Sequence, residues 1–247
     1  MDITMGNIKA KLREWCNGVL RVVYPVRCPV CDEIVDEPGE KVCAECLRKI
    51  KLLTPPWCMR CGRKVEDGEE YCRDCRGSRH VFDRGRALYE YADAAASIYR
   101  FKYAGRREYA DFFGEEIAEY LGDFIRQIQP DGIVPIPLHR RRYAKRGYNQ
   151  AELLASETGR RLGIPVYPKM LVRVRNTVPQ KKLNPQERQN NLKKAFNIGR
   201  NDVKLKVILV FDDIYTTGST IDEAARALRE AGAEKIYFIT LACGAGI

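Results

Sequence analysis

Two adjacent carboxylates, Asp212 and Asp213, follow an uninterrupted apolar run from Val207 to Phe211 and precede the hydroxyl-rich segment Thr216-Thr217-Gly218-Ser219-Thr220. A helical pattern begins there, with Ile221, Ala224, Ala225, Leu228 and Ala231 on one side and Gly232 as its stop. Free backbone N–H groups, the positive end of a helix dipole and several short hydroxyls together favour a phosphate. The carboxylates just before that turn would repel a phosphate, so they need another partner. Accepting hydrogen bonds from the vicinal hydroxyls of a ribose, one sugar's length from a 5′-phosphate, fits their position. A Walker A loop is excluded, because no Gly-Lys-Ser/Thr follows a glycine-rich turn. A receiver-type phosphoacceptor would place such a strand at the start of its domain, whereas this one opens the last fifth of the chain. The remaining alternative is a core strand that ends in a solvated acidic turn.

Eight of the ten cysteines form four Cys-x2-Cys pairs: Cys28/Cys31, Cys43/Cys46, Cys58/Cys61 and Cys72/Cys75. One such knuckle delivers two thiolates from a tight turn, so two knuckles fill a tetrahedral Zn2+ site. The spacing predicts two structural Zn2+ sites, paired either sequentially, as in a tandem zinc ribbon, or interleaved. Sulfur fills every coordination position, which leaves neither ion the open site that catalysis requires. Cys16 and Cys243 stand apart and read as core or near-core thiols; His80 lies near Cys75 but is not needed as a ligand.

The elements that must position these groups alternate as β-α-β. Strands are expected at Arg84 to Tyr91, Ile133 to Pro137, Val166 to Val174, Lys206 to Phe211 and Lys235 to Ala242. Helices are expected at Ala92 to Tyr103, Glu108 to Ile128, Gln150 to Leu162, from Pro185 with Asn184 as its cap, and Ile221 to Ala231. A buried parallel strand reads as a continuous apolar run, and ligands of such sheets sit at the carboxyl ends of the strands. The fold class is therefore α/β, a doubly wound and mainly parallel sheet (81–247) carrying a small N-terminal zinc-ribbon module (25–80). Residues 1–24 read as an amphipathic helix, with Ile8, Leu12, Trp15, Val19, Val22 and Val23 on one side. That pattern is wrong for a signal peptide and is expected to dock on the rest of the protein. No apolar span of about 18 residues is present, so no membrane span is expected.

The net charge of +10 is concentrated in residues 139–194, which carry fifteen Lys and Arg against three Asp and Glu. Such a block repels itself unless an anion lies nearby, either pyrophosphate or a nucleic-acid backbone. Pro135-Ile-Pro-Leu-His-Arg-Arg-Arg142 sets a guanidinium-rich turn against a strand end, and Arg suits a phosphate fork. The basic, aperiodic stretch from Arg173 to Leu183, with Arg175, Lys181 and Lys182, reads as a lid.

The Asp212 to Thr220 stretch resembles the 5-phosphoribosyl 1-pyrophosphate (PRPP) motif of type I phosphoribosyltransferases. That resemblance implies that Asp212 and Asp213 hold the ribose hydroxyls and that Thr216, Thr217, Gly218, Ser219 and Thr220 cradle the 5′-phosphate. It also implies that Leu138, His139, Arg140 and Arg141 form the pyrophosphate loop, joined by Arg175 and Lys181 of the lid, with Mg2+ bound alongside PRPP. The whole chain is similar to the competence protein F (ComF) family. The residues that carry this likeness are Tyr24-Pro-Val-Arg-Cys-Pro-Val-Cys31, Phe101-Lys-Tyr-Ala-Gly105, Arg146-Gly-Tyr-Asn-Gln150, Arg175-x-Thr177-x-x-Gln180-x-x-Leu183 and Arg188-x-x-Asn191. Membership implies cytoplasmic action in natural transformation, on imported single-stranded DNA, beside a DNA-uptake motor or channel protein. Two functions then compete: a phosphoribosyltransferase with an unidentified acceptor, or a non-catalytic PRPP-sensing or single-stranded-DNA-binding protein.

Overall fold

A computed structural model describes residues 25–174, 195–199 and 204–244. The amphipathic segment to Tyr24 with Cys16, the lid residues Arg175, Lys181 and Lys182, and the helix start at Asn184 lie outside the described residues. The chain forms two compact units, 1–50 and 51–247.

In the first unit the chain folds back at a single bridge, Arg27 to Ile34, around the knuckle Cys28 to Cys31. The knuckle closes through Asp32 N–H to Cys28 C=O at 2.9 Å. Asp32 adopts a left-handed conformation there (φ 69°). Cys43 then caps the short helix α1 (Ala44–Leu47). The second unit opens with the same construction: a bridge from Trp57 to Lys64, Gly62 left-handed (φ 74°), and Cys72 capping α2 (Arg73–Gly77).

The sheet of the second unit has four parallel strands in the order β1 (Arg84–Glu90), β6 (Lys235–Cys243), β5 (Val207–Tyr215) and β2 (Gly132–Pro135). Helices α3 (Tyr91–Tyr103), α4 (Tyr109–Tyr120) and α5 (Gly122–Ile128) connect β1 to β2. After β2 come α6 (Arg140–Arg146), α7 (Gln150–Leu162) and a separate antiparallel pair, β3 (Leu171–Arg173) with β4 (Phe196–Ile198). Helix α8 (Ser219–Glu230) makes the β5-to-β6 crossover.

The apolar run of β5 is buried on both faces, as a central parallel strand requires. Val134, Ile208, Val210, Ile236 and Phe238 gather with Ile221, Ala224 and Leu228 of α8 in one core. Cys58, Cys61, Cys72 and Cys75 belong to the same core, so the second cysteine ribbon packs into the body of its unit. Alternating partners along the strands, Ile133, Leu209, Phe211 and Ile239, are equally buried and turn to the opposite face. Helix α7 packs on β2 and β5, and Gly114 of α4 lets α4 approach α7 closely, since a Cβ there would lie 2.5 Å from Glu157 Cβ.

Local punctuation redraws four expected boundaries. The helix expected from Glu108 to Ile128 breaks at Leu121 (φ −108°, ψ 1°), just before Gly122. Strand β2 stops at Pro135 rather than Pro137; the Ile136 N–H still reaches Phe211 C=O at 2.8 Å, and Pro137 has no N–H to continue. Val166 to Val174 is not one strand: Val166 and Tyr167 pair with Ile133, β3 pairs with β4, and the chain turns between Tyr167 and Met170. Strand β5 runs beyond Phe211 to Tyr215, since its parallel neighbour β6 continues to pair as far as Cys243.

Candidate functional site

Asp212 and Asp213 lie near the carboxyl end of β5, where the ladder to β2 stops at Pro135 opposite Phe211. On the other side β6 still pairs with the strand at Thr240 and Ala242. This asymmetry sets the two aspartates beside the turn that follows β2. Asp213 forms an ion pair with Lys102 of α3 at 2.9 Å, and its N–H donates to Asp212 Oδ1 at 2.8 Å. Burial, then the like charge of Asp213, pushes the Asp212 carboxyl up to about 7; the Asp213 N–H, Lys102 and Arg173 work in the other direction. Arg173 at the end of β3 is itself brought down to about 10 by burial and by Arg142, while Asp212 and Asp213 oppose that shift. Two carboxylates and three cationic side chains therefore share one electrostatic neighbourhood.

The segment Arg146 to Gln150 secures this arrangement from below. The buried Tyr148 hydroxyl and the Gln150 side-chain amide both donate to the carbonyl of Phe101, at 2.5 and 3.2 Å, fixing the residue beside Lys102. Buried Asn149 donates to the carbonyl of Ile136 at 3.0 Å and so holds the turn that follows β2. One five-residue motif thus ties the helix that supplies Lys102 to the loop that supplies Leu138 and His139.

That loop differs from expectation in one respect. Arg140 and Arg141 lie in the first turn of α6, not in an irregular turn, because His139 caps the helix: its Nδ1 accepts the Arg141 N–H at 3.3 Å. Gly147, left-handed at φ 79°, ends the helix. Arg140 and Arg141 are exposed, and Leu138 and His139 are partly exposed.

The Thr216 to Thr220 segment leads into α8 as expected, with left-handed Gly218 as its N-cap residue (φ 78°). A side chain at Gly218 is excluded twice over, since a Cβ would also stand 2.8 Å from the Tyr215 hydroxyl. Thr217 and Ser219 hydroxyls are 2.9 Å apart, and Thr216 is exposed. Thr217, Ser219 and Thr220 are partly exposed, so short hydroxyls gather at the N-terminus of α8, the kind of donor set that an oxyanion takes.

The eight paired cysteines form two separate groups, Cys28/Cys31/Cys43/Cys46 and Cys58/Cys61/Cys72/Cys75, each with its sulfurs within 4.8 Å of one another. Pairing is therefore sequential. Four thiolates at a Zn–S distance of about 2.3 Å define a tetrahedron with edges near 3.8 Å. Cys31 and Cys43 Sγ are 3.8 Å apart and Cys61 and Cys72 Sγ are 3.6 Å apart, so both donor sets fit a structural Zn2+. Cys243 is buried at the end of β6, and His80 bonds Asp222.

Sequence reasoning named Asp212, Asp213 and the hydroxyl turn but missed the role of Lys102, although it lies in the Phe101 to Gly105 motif. The clustering of Arg142 and Arg173 was also not legible, because the two lie on different elements, α6 and the separate β3–β4 pair, far apart in the chain. Arg175 and Lys181 are outside the described residues. No helix among the described residues is long and apolar enough to cross a membrane.

Residues 19–76 match the double zinc ribbon domain and residues 114–245 match the phosphoribosyl transferase domain. The chain is 30% identical over 229 residues to competence protein F of Haemophilus influenzae, covering 89% of this chain and 97% of that protein. It is 32% identical over 206 residues to competence protein ComFC of Bacillus subtilis, covering 79% and 81%. It is 30% identical over 200 residues to DNA utilization protein YhgH of Escherichia coli K12, covering 79% and 86%.

Two outcomes follow from the geometry. Elemental analysis is expected to find two zinc ions per chain, and a chromophoric chelator should extract them in two phases. The first-ribbon ion leaves first, because Cys31 is exposed and Cys43 partly so, whereas all four sulfur ligands of the second are buried; release in a single phase would contradict this. In a 13C NMR titration the Asp212 carboxyl should ionise near pH 7, and Asp213→Asn should move the midpoint down by removing a like charge. A wild-type midpoint near the ordinary aspartate value of about 4 would contradict the enclosure described for this group.

Proposed function

The chain belongs to the competence protein F family, and on that premise we propose that it binds PRPP with Mg2+ at the carboxyl ends of β5 and β2 and acts in DNA uptake as a phosphoribosyltransferase-like protein. The observation that carries this reading is the sequence of groups along one edge of the sheet. Partly exposed hydroxyls at the N-terminus of α8 come first, then the Asp212–Asp213 pair with Lys102, then the basic turn from Leu138 to Arg141. A ligand with a phosphate, a vicinal diol and a pyrophosphate, in that order, engages all three.

In this reading the Thr216 to Thr220 segment donates to the 5′-phosphate, and Asp212 and Asp213 accept from the ribose hydroxyls. The same carboxylates offset positive charge on the ring as the C1–oxygen bond lengthens. Leu138, His139 and the guanidinium groups of Arg140 and Arg141 are assigned to the pyrophosphate, together with Arg175 and Lys181 of the basic stretch that follows β3. Mg2+ would be held chiefly by the ligand and water and would neutralise the departing pyrophosphate. Transfer of the 5-phosphoribosyl group to an acceptor, with pyrophosphate leaving from C1, makes the protein a pentosyltransferase; without an acceptor the same site is a PRPP sensor. The relatives named competence and DNA utilization proteins support a role with DNA; a cytoplasmic setting beside an uptake motor or channel protein is part of this proposal.

Calorimetric titration of the zinc-loaded protein with PRPP and Mg2+ tests the ligand. Binding is expected in wild type, with at least about a hundredfold loss in the Asp212→Asn/Asp213→Asn double variant, as befits two charged acceptors removed together. An absence of wild-type binding would sink the assignment. Pyrophosphate release on adding an acceptor separates enzyme from sensor.

A specific observation also favours contact with single-stranded nucleic acid. Tyr99 and Tyr103, four residues apart on α3, are 64% and 63% exposed with their rings 5.1 Å apart, and Arg146 lies 5.0 Å over the Tyr103 ring. Aromatic faces interleaved with guanidinium form a stacking platform for bases. Because Tyr103 follows Lys102, this platform adjoins the proposed ribose site. A labelled oligothymidylate should bind with strong salt dependence, and Tyr99→Ala/Tyr103→Ala should weaken it at least tenfold, on the order of one stacked base. Unchanged affinity in that variant would remove the platform from the argument.

A further inference from the structure

The second cysteine ribbon reaches the hydroxyl turn through one buried cation. Arg63 is 8% exposed; its Nη1 pairs with Asp74 at 2.6 Å and its Nη2 donates to the backbone carbonyl of Thr216 at 2.7 Å. Its guanidinium lies 5.8 Å from the Tyr215 ring centre, over the residue that precedes the turn. Arg63 stands two residues after Cys61, and Asp74 stands between Cys72 and Cys75. The two members of the ion pair therefore come from different knuckles, and one metal ion bound by both knuckles brings them together.

The other end of the turn is held from the same side. His80 Nδ1 is 2.8 Å from Asp222 Oδ2, while Asp222 Oδ1 accepts the Val81 N–H at 2.7 Å. Asp222 N–H in turn donates to the carbonyl of Gly218 at 2.8 Å, closing the first turn of α8. His80 also stacks on Phe82, with ring centres 4.6 Å apart, and Phe82 meets both Tyr215 and Phe238 edge-on. Thr216 and Gly218 are thus fixed from the ribbon side by Arg63 and His80.

The first ribbon supplies an internal comparison. Two residues after Cys31 it has Glu33, and two residues after Cys43 it has Glu45, where the second ribbon has Arg63 and Asp74. Two acids cannot form the cross-knuckle pair, yet the four sulfurs of the first site come together equally well. The Arg63–Asp74 pair is therefore not a requirement for building a four-cysteine site, and the separate demand it meets is the Thr216 carbonyl.

We propose that the second zinc ribbon orders the hydroxyl turn, with Arg63 as the positioning residue, so that zinc bound by Cys58, Cys61, Cys72 and Cys75 sets the geometry of the Thr216 to Thr220 donors. The consequence for ligand binding rests on the reading of that turn as a 5′-phosphate site; the ordering of the turn does not. Zinc in the first ribbon has no part in it.

Hydrogen exchange on the full zinc-loaded chain tests the ordering directly. Arg63→Met should speed exchange in the segment containing Thr216 to Thr220 about tenfold, the size of one charged hydrogen bond, with two zinc ions retained and β6 still protected. Asp74→Asn, which leaves Arg63 but loosens its alignment, should act in the same direction to a smaller extent, and Cys31→Ser in the first ribbon should leave the segment unchanged. Affinity for ribose 5-phosphate should fall about tenfold in Arg63→Met while affinity for inorganic pyrophosphate holds, a split that general destabilisation does not produce. Unchanged exchange of the segment in Arg63→Met, with both ions bound, overturns the proposal. Should Arg63→Met lose zinc or β6 protection, unchanged exchange in Asp74→Asn overturns it instead. If wild type fails to bind ribose 5-phosphate while the exchange difference stands, the phosphate reading falls and the positioning role survives.

Discussion

Like charge held at close range is the constraint on which the site is built. Asp212 and Asp213 are consecutive residues near the end of a buried strand, and side chains that alternate across a strand can separate them only so far. Lys102 is brought to Asp213 from helix α3, and Arg173 lies close enough to influence both. Each of these cations needs its own support. Phe101, beside Lys102, is fixed by Tyr148 and Gln150, and the neighbouring turn is fixed by Asn149. The interior of the domain between α3 and α7 is thus organised around offsetting one electrostatic cost.

The second ribbon answers a different physical problem. A turn that binds an anion must keep its N–H groups free and its carbonyls occupied elsewhere, or it collapses onto itself. Arg63 takes the Thr216 carbonyl, and α8 takes the Gly218 carbonyl through the Asp222 N–H. A zinc–tetrathiolate centre carries a net charge of about −2. Two buried arginines, Arg63 and Arg86, lie within electrostatic reach of Cys61. Arg86 sits between the rings of Trp57 and Phe124, at 4.9 and 5.1 Å, where cation–π contact compensates part of its lost hydration. A bound metal–thiolate centre would therefore offset the charge of both buried arginines, one of which, Arg63, also ties the ribbon to the turn after β5.

What could be read from the chain was what is local. The β5 run, the hydroxyl turn and the Cys-x2-Cys spacing are each encoded within a few residues, and helix α7 has both its glycine stop and its apolar stripe in plain sight. Sequential pairing of the knuckles was open because either arrangement satisfies four sulfur ligands. The Arg63–Thr216 and His80–Asp222 links join residues 153 and 142 positions apart, and nothing in local pattern chooses such partners. The break at Leu121 escaped notice because apolar periodicity continues through it, and the helix at Arg140 escaped because three arginines in a first turn oppose the helix dipole. Tyr99 and Tyr103 looked like part of an ordinary short helix, and only the approach of Arg146 makes them a surface of interest.

The protonation state of Asp212 links these observations. Burial and the like charge of Asp213 raise the Asp212 carboxyl to about 7, so near neutrality the pair need not hold two full negative charges against each other. A purely anionic ligand, such as phosphate or pyrophosphate alone, would find the protonated form least repulsive and would leave the pair without hydroxyls to accept. A ligand that places a neutral diol between two anionic ends rewards the ionised form instead, because each hydroxyl then donates to a carboxylate. In the proposed binding mode its anionic ends would be left to the hydroxyl turn and to the arginines of the turn after β2. On the proposed reading, the site would distinguish a phosphorylated sugar pyrophosphate from its separate fragments by charge pattern as much as by shape, and binding of the whole ligand would be coupled to proton release from Asp212.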